Sequence, residues 1–305
     1  MSGLTPFRSY ALRALCAGAL LCALPLARAA TPASLLVKDL STGSTLVSET
    51  PDAIRYPASL TKLMTLYLLF EKLEAGELRL DQKFTVSEYA AQQPASRIGL
   101  RVGSTLTVEE CIGAVIVKSA NDAAVVVAEG IAGDEQTFAA MMTRKAKVLG
   151  MDSTLYRNAS GLPDAEQVTT ARDLSTLATA LVAKFPQYYH YFAVRECKVG
   201  RKTIETHNNF LVEYPGAEGM KTGYTRDAGY NLVATAMRGG HRLVGVILGA
   251  AGPGRRDGAM VKTMDAAFSS LGVSPPGPKP AAKPAGAKSA GAARPSMQPQ
   301  IRPGG

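Results

Sequence analysis

Three short patterns in this chain of 305 residues carry side chains suited to acyl transfer. The first is Ser59-Leu60-Thr61-Lys62. A spacing of three on a helix brings both side chains to one face, within reach of each other. A serine hydroxyl becomes an effective nucleophile when a neighbouring base takes its proton. A lysine is such a base once burial or a second cation lowers its pKa. Ser59 at a helix N-terminus would also offer free backbone N–H groups to an oxyanion. The second pattern, Ser119-Ala120-Asn121, lies in a long apolar stretch where polar side chains need partners. The third is Lys221-Thr222-Gly223, where Gly223 would let a substrate backbone approach a strand closely. Each pattern has a plainer reading when taken singly: a capping serine beside a solvated lysine, a satisfied core network or turn, and an edge-strand lysine.

The elements that must position these residues follow from hydrophobic periodicity. Residues 34–39 and 45–47, joined by Ser-Thr-Gly-Ser, predict a hairpin. After Pro57 a helix runs to Gly76, with Leu60, Leu63, Met64, Leu66 and Leu68 forming its apolar face. Thr107 with Glu110 predicts a capping box, followed by a long buried helical region from Cys111 to Ile131. Thr170 opens a helix that continues through Ala183. Residues 230–237 and 242–248 predict a second hairpin, and 261–271 a closing helix. Strands at both ends of this region with helices between them indicate an α+β fold. It would have one antiparallel sheet, its first and last strands adjacent, packed by helices.

The formal charge of +9, from 34 Lys plus Arg against 25 Asp plus Glu, invites a nucleic-acid or membrane partner. Its distribution removes that reading. Residues 1–29 hold a basic start (Arg8, Arg13), a short apolar run from Ala14 to Leu26 and Ala27-Arg28-Ala29, the form of a cleaved signal peptide. The run is shorter than the ~20 residues that span a bilayer. Residues 275–305 hold eight Pro, five Gly, five basic residues and no acid, a composition expected to stay disordered. The two ends carry +3 and +5, which leaves +1 on residues 30–274. The expected product is an exported single domain over 30–274 with a basic tail, no nucleic-acid partner and no C-terminal membrane anchor. Its compartment would be the periplasm or cell-wall space. Two cysteines survive signal cleavage, Cys111 and Cys197, compatible with one bridge or with two free thiols. His190, His207 and His241 are scattered, with no carboxylate at ligand spacing, so neither a metal nor a Ser-His-Asp triad is expected.

The three patterns occur once each, in the order of the penicillin-recognising serine enzymes, with Ala120 where the commoner second pattern has Asp. The chain resembles the serine-type D-alanyl-D-alanine carboxypeptidases, the low-molecular-mass penicillin-binding proteins of peptidase family S11. The likeness extends over PASLTKLMT, Ser96-Arg-Ile-Gly-Leu, KSANDAA, GMDSTLYRNASGLPD, TTARDL, YPGAEGMKTGYTRDAGYNLVATA and RLVGVILG, roughly residues 33 to 271. The resemblance implies a β-lactamase/transpeptidase-like sandwich and an enzyme without cofactor or metal. Its substrate would be a peptidoglycan stem peptide ending in D-Ala-D-Ala, and β-lactams would be covalent inhibitors. It further implies that Ser59 is the acylated nucleophile, Lys62 its base, and Ser119 a proton relay to the leaving D-alanine. Asn121 would bind the substrate's amide, Lys221 and Thr222 its terminal carboxylate, and Tyr224 would supply the second oxyanion N–H beside that of Ser59. Arg256, before Asp257, would aid carboxylate recognition. Lys221 near Lys62 would depress the pKa of Lys62. The segment Thr206-His207-Asn208-Asn209 departs from the commoner family form, and the C-terminal β-rich domain and amphipathic helix of many members have no counterpart in the basic tail.

Two other readings use the same fold. A β-lactamase needs a base that activates water, and Glu166-Gln-Val-Thr-Thr lacks the Glu-x-x-Leu-Asn pattern that would supply it. A non-catalytic wall-binding module would use the fold as a cleft, and three intact motifs argue against it.

Overall fold

The computed structural model describes residues 33–200 and 202–274; the expected signal segment and basic tail lie outside the described residues. The chain opens with the expected hairpin, β1 (Ser34–Asp39) and β2 (Thr45–Glu49). A 3₁₀ turn at Ala58–Thr61 leads into α1 (Lys62–Glu74). There follow β3 (Lys83–Thr85), α2 (Glu88–Ala91), β4 (Thr105–Thr107) and α3 (Val108–Gly113). A π-helical turn at Ala114–Lys118 precedes α4 (Asn121–Ala132) and α5 (Glu135–Val148). Next come α6 (Ala171–Lys184), α7 (Pro186–Tyr189), β5 (Glu196–Val199), β6 (Lys202–Glu205) and α8 (Asn209–Glu213). The chain closes with β7 (Ala217–Thr225), β8 (Gly229–Arg238), β9 (His241–Ala250) and α9 (Pro253–Ser270).

The main sheet is antiparallel, in the order β2-β1-β9-β8-β7, so the first and last strands are neighbours, as expected. Alternation of side chains along each strand gives the sheet two apolar faces. Leu36, Val244, Val246 and Leu248 face the helices of the middle of the chain. Leu35, Val37, Leu243 and Ile247 face α9 through Met260, Met264 and Phe268. The result is helices on both faces of one antiparallel sheet, the α+β sandwich that the strand pattern predicts. Residues 62–70 of α1 are all buried, so this helix is the centre of the core and not a one-sided surface helix. Its Phe70 stacks on Tyr188 at 5.2 Å and meets Phe185 and Phe192 edge-on.

Two expectations are corrected. The stretch from Cys111 to Ile131 is not one helix: it stops after the π turn, Ser119 takes a left-handed φ of 58° and Ala120 is extended. Residues two apart on a helix point about 200° from each other, so a continuous helix could not aim both Ser119 and Asn121 at one cleft. The closing helix starts at Pro253, with Gly252 at its N-cap, and not at Val261. Proline is well suited to the first turn of a helix, and the Gly-Pro-Gly-Arg-Arg segment is therefore helix and not loop. Lys221-Thr222-Gly223 lies inside β7, the last strand in the sheet order, and its residues are buried. Cys111 is a buried free thiol and Cys197 a half-buried one.

The capping box is present as predicted. Thr107 Oγ1 accepts from the backbone N–H of Glu110 at 3.1 Å, and Glu110 Oε2 accepts from that of Thr107 at 2.9 Å. It fixes the direction in which α3 enters the core toward the Ser119 turn. Thr107→Ala should lower unfolding free energy by ~1 kcal/mol; a urea midpoint unchanged at constant slope would show that the cap contributes nothing.

Candidate active site

Lys62 is completely buried at the first position of α1, and three oxygens surround its Nζ. Ser59 Oγ lies 3.1 Å away, Asn121 Oδ1 accepts at 2.7 Å, and the carbonyl of Ser160 accepts the third contact. Burial, and secondarily the charge of Lys221, hold the pKa of Lys62 well below that of a free lysine, against the opposing pull of Asp122 and Glu135. A neutral amine has two N–H donors and one lone pair. The carbonyls of Ser160 and Asn121 are acceptors only, so they take the two hydrogens. The lone pair is left for the hydroxyl hydrogen of Ser59. Once protonated, the same nitrogen has three donors for three oxygens. The cradle therefore satisfies Lys62 on both sides of a proton transfer.

Four elements build this cradle. Ser59 sits in the 3₁₀ turn ahead of α1, where i and i+3 side chains eclipse, which brings Ser59 and Lys62 together as their spacing predicted. Asn121 opens α4 after the break in the helix; its Nδ2 donates to Pro94 O at 2.9 Å, and its Oδ1 keeps a second lone pair for a ligand N–H. Ser160 belongs to the loop after α5, whose turn is tied by Asn158 Oδ1 to the N–H groups of Ser160 and Gly161. Thr65 Oγ1 donates to Ala159 O at 2.6 Å and docks that loop on α1. On the other side, β7 presses against the nucleophile turn. A Cβ on Gly223 would stand 3.1 Å from the nitrogen of Ser59 and from Pro57 O. The absence of a side chain at Gly223 thus admits the nucleophile turn itself, where the sequence had suggested a substrate backbone.

The cationic side of the cleft holds Lys221, Thr222 and Arg256. Lys221 is buried, donates to Thr222 O at 2.9 Å, and has its pKa pulled down to about 7 by burial and by Arg256. Arg256, in the first turn of α9, is 6% exposed and makes a two-pronged pair with Asp257 at 2.8 and 3.0 Å. Ser119 Oγ is buried and finds no hydrogen-bond partner among the described residues. Tyr224 is 54% exposed and stacks on its cross-strand neighbour Tyr230 at 4.3 Å. Beside the nucleophile turn a cavity of about 200 Å³ opens between Tyr56, Ala58, Leu162, Asp164, Thr225 and Asp227.

Several contributors carried no signal as isolated residues. His207, between β6 and α8, places Nε2 3.2 Å from Thr222 Oγ1. Asn231 on β8 is fully buried; its Nδ2 donates to the carbonyls of Tyr56 and Pro57, and its Oδ1 accepts from Gly249 N–H. It moors the nucleophile turn to the sheet. Asp122 accepts the N–H groups of Ile98, Gly99 and Leu100 and holds the loop at the cleft edge. The stretches SRIGL, SANDAA, RNASGLPD and YNLVATA contain most of these positions, but only the packed chain shows what each one holds.

Comparison with known proteins agrees with this geometry. The family model of D-alanyl-D-alanine carboxypeptidase, peptidase S11, matches residues 25–252. The D-alanyl-D-alanine carboxypeptidase DacF of Bacillus subtilis is 35% identical over 255 residues, 82% of this chain and 65% of that protein. The D-alanyl-D-alanine carboxypeptidase DacC of Escherichia coli is 35% identical over 222 residues, 70% of this chain and 56% of that protein. The chain therefore spans less than two thirds of the length of either relative. The crystal structure of the D-alanyl-D-alanine carboxypeptidase DacD from Francisella tularensis superposes with a TM-score of 0.73 at 29% identity, covering 75% of this chain and 68% of that one. Penicillin-binding protein D2 of Listeria monocytogenes, solved in an ampicillin-bound form, gives 0.68 at 31% identity, covering 77% and 96%.

Gly161 packs face-on against the nucleophile turn at φ 84°, and a Cβ there would stand 1.9 Å from Ala58 O. Gly161→Ala should lose about 2–4 kcal/mol of stability from the clash and the left-handed backbone. Retention of the wild-type urea midpoint would mean that the Ser160 loop does not clamp the turn.

Proposed function

The chain belongs to the D-alanyl-D-alanine carboxypeptidase family, peptidase S11, and from that membership we propose that it is an exported serine enzyme that trims the terminal D-alanine from peptidoglycan stem peptides. The observation that carries this reading is the buried Lys62, with its lone pair available to the hydroxyl of Ser59 at 3.1 Å. A fully buried lysine at a serine hydroxyl is a base in position.

The reaction follows from the arrangement. The substrate's terminal carboxylate enters the cationic end of the cleft at Lys221, Thr222 and Arg256, the buried cations of the site and the hydroxyl between them. Its penultimate carbonyl then lies over Ser59. Lys62 takes the hydroxyl proton while Ser59 Oγ bonds to the carbonyl carbon, and the oxyanion is received by the N–H groups of Ser59 and Tyr224. Asn121 Oδ1 uses its second lone pair for the substrate's amide. Ser119, buried and unpartnered among the described residues, passes the proton from Lys62 to the departing amine of D-alanine, which leaves an ester on Ser59. Water then cleaves the ester and returns the proton to Ser59. The rest of the stem leaves along the Thr225 end of β7, past the cavity at Tyr56 and Asp227. A β-lactam, whose strained amide and carboxylate reproduce the two contacts, would acylate the same oxygen.

Deacylation of such an adduct would be slow. Glu166, which opens the segment lacking the β-lactamase pattern, is exposed and paired with Arg157 at 3.0 Å. For localisation, the form of residues 1–29 supports export to the periplasm or wall space. Among the described residues no helix is long and apolar enough to cross a membrane.

Incubating the full chain with a fluorescent penicillin and, separately, with a D-Ala-D-Ala pentapeptide should give stoichiometric label and free D-alanine. Both should be lost in Ser59→Ala. Absence of label and of D-alanine from the wild type would overturn the reading. The pH profile of kcat/KM reports the free enzyme. It should rise as Lys62 loses its proton and fall above about 7 as Lys221 becomes neutral and binds the carboxylate less well. Lys221→Arg should remove the falling limb, since guanidinium stays charged; persistence of that limb would assign it to another group.

A further inference from the structure

Thr222 is the neutral member of the carboxylate end, and what it offers a ligand depends on where its single hydroxyl hydrogen points. The partner that decides this is His207, with Nε2 3.2 Å from Thr222 Oγ1. His207 is an exposed residue of the segment between β6 and α8. The charged groups that act on it come from four directions: Lys221 on β7, Lys118 in the π turn, Arg256 on α9 and Lys62 on α1. Partial burial and these four cations pull its pKa down to about 4, so the ring is neutral at neutral pH. A neutral imidazole carries one N–H, donating at one nitrogen and accepting at the other.

The two tautomers have opposite consequences. If Nε2 is the acceptor, Thr222 gives its hydroxyl hydrogen to the histidine and turns only lone pairs toward an arriving carboxylate, which repel it. If Nε2–H is the donor, Thr222 Oγ1 accepts and its hydrogen is free to rotate into the cleft. The charged neighbours do not make this choice irrelevant, because both have donors engaged elsewhere. Lys221 Nζ donates to Thr222 O, and Arg256 spends two N–H groups on Asp257.

We propose that His207, as its Nε2–H tautomer, is a positioning residue that holds the Thr222 hydroxyl as a hydrogen-bond donor to the substrate's terminal carboxylate. This rests on the carboxypeptidase reading above. No bond to His207 is made or broken; it acts through Thr222 alone.

The test uses the full chain and the second-order rate of Ser59 acylation by a penicillin and by the methyl ester of the same penicillin, which lacks the anionic carboxylate. His207→Ala should slow the free acid by about threefold, since the Thr222 hydroxyl is kept but no longer held toward the carboxylate, and should leave the ester rate nearly unchanged. His207→Gln, whose amide N–H stands close to the former Nε2–H, should recover most of the loss. Nitrogen chemical shifts of the wild-type imidazole at neutral pH should show Nε2 protonated and Nδ1 bare. Equal loss against acid and ester would reduce His207 to a scaffold residue, and no loss against either, or an Nδ1–H tautomer, would equally overturn the proposal. Failure of the underlying reading looks different: no Ser59-dependent label with any penicillin and no D-alanine released, which would remove both.

Discussion

An amine in a dry interior is the constraint around which this molecule is arranged. Carrying Lys62 into the core as an ammonium would cost several kcal/mol even after relaxation, so the fold must supply either a counter-charge or a reason for the nitrogen to be neutral. It does the second. Asp122 and Glu135 pull toward the charged form, but Asp122 is spent on three loop N–H groups and Glu135 on Ala159 N–H and the Tyr89 hydroxyl. Burial and Lys221 prevail. Two of the three nearest oxygens cannot donate, and so the lone pair is left facing Ser59 with nothing else to bond.

That requirement accounts for features which would otherwise be costs. The chain before Ser59 passes through Ala58 at φ 49°, and the chain before Asn121 through Ser119 at φ 58°. Left-handed non-glycine residues cost about 1–3 kcal/mol each and persist only where their surroundings over-determine them. Here the surroundings do so. The nucleophile turn is held by Asn231 from the sheet, by the bare faces of Gly161 and Gly223 on either side, and by α1, whose buried residues anchor the turn from below. The break at Ser119 is held by the bond from Asn121 N–H to Ser96 O, and by that from Ser96 Oγ to Lys118 O. Helix propensity loses at Ser119 because a continuous helix would turn Ser119 and Asn121 away from each other.

Much of this was legible in the sequence, for reasons that can be stated. The hairpins, the capping box and α1 are local structures in which neighbouring residues decide the outcome, and they form where periodicity put them. The contact between Ser59 and Lys62 was legible because residues three apart at a helix start share one face. The break at Ser119 was not, since the apolar run from Cys111 to Ile131 has the composition of an unbroken buried helix and the reason to break lies 59 residues away at Lys62. The start of α9 hides behind two residue types common in loops, Gly and Pro, although a proline at N1 is a helix signal. His207 and Asn231 were invisible as functional residues because their meaning is not local. One His in a loop and one Asn in a strand acquire it only from the hydroxyl or carbonyl that the fold brings to them.

The electrostatics of the cleft then tie ligand capture to the state of the base. Lys221 holds its proton weakly, near pH 7, because it is buried beside Arg256. An anion placed among Lys221, Thr222 and Arg256 would offset the repulsion between the two cations and favour the charged form of Lys221. A charged Lys221 is in turn the second-largest cause of the lowered pKa of Lys62. A ligand that brings a carboxylate therefore completes the field in which the neighbouring amine is neutral, whereas a ligand with an uncharged end leaves that field half formed. The +9 of the whole chain has no part in this, because nearly all of it lies on the two ends. On the proposed function, recognition falls to the buried Lys221 and Arg256 and to the hydroxyl of Thr222.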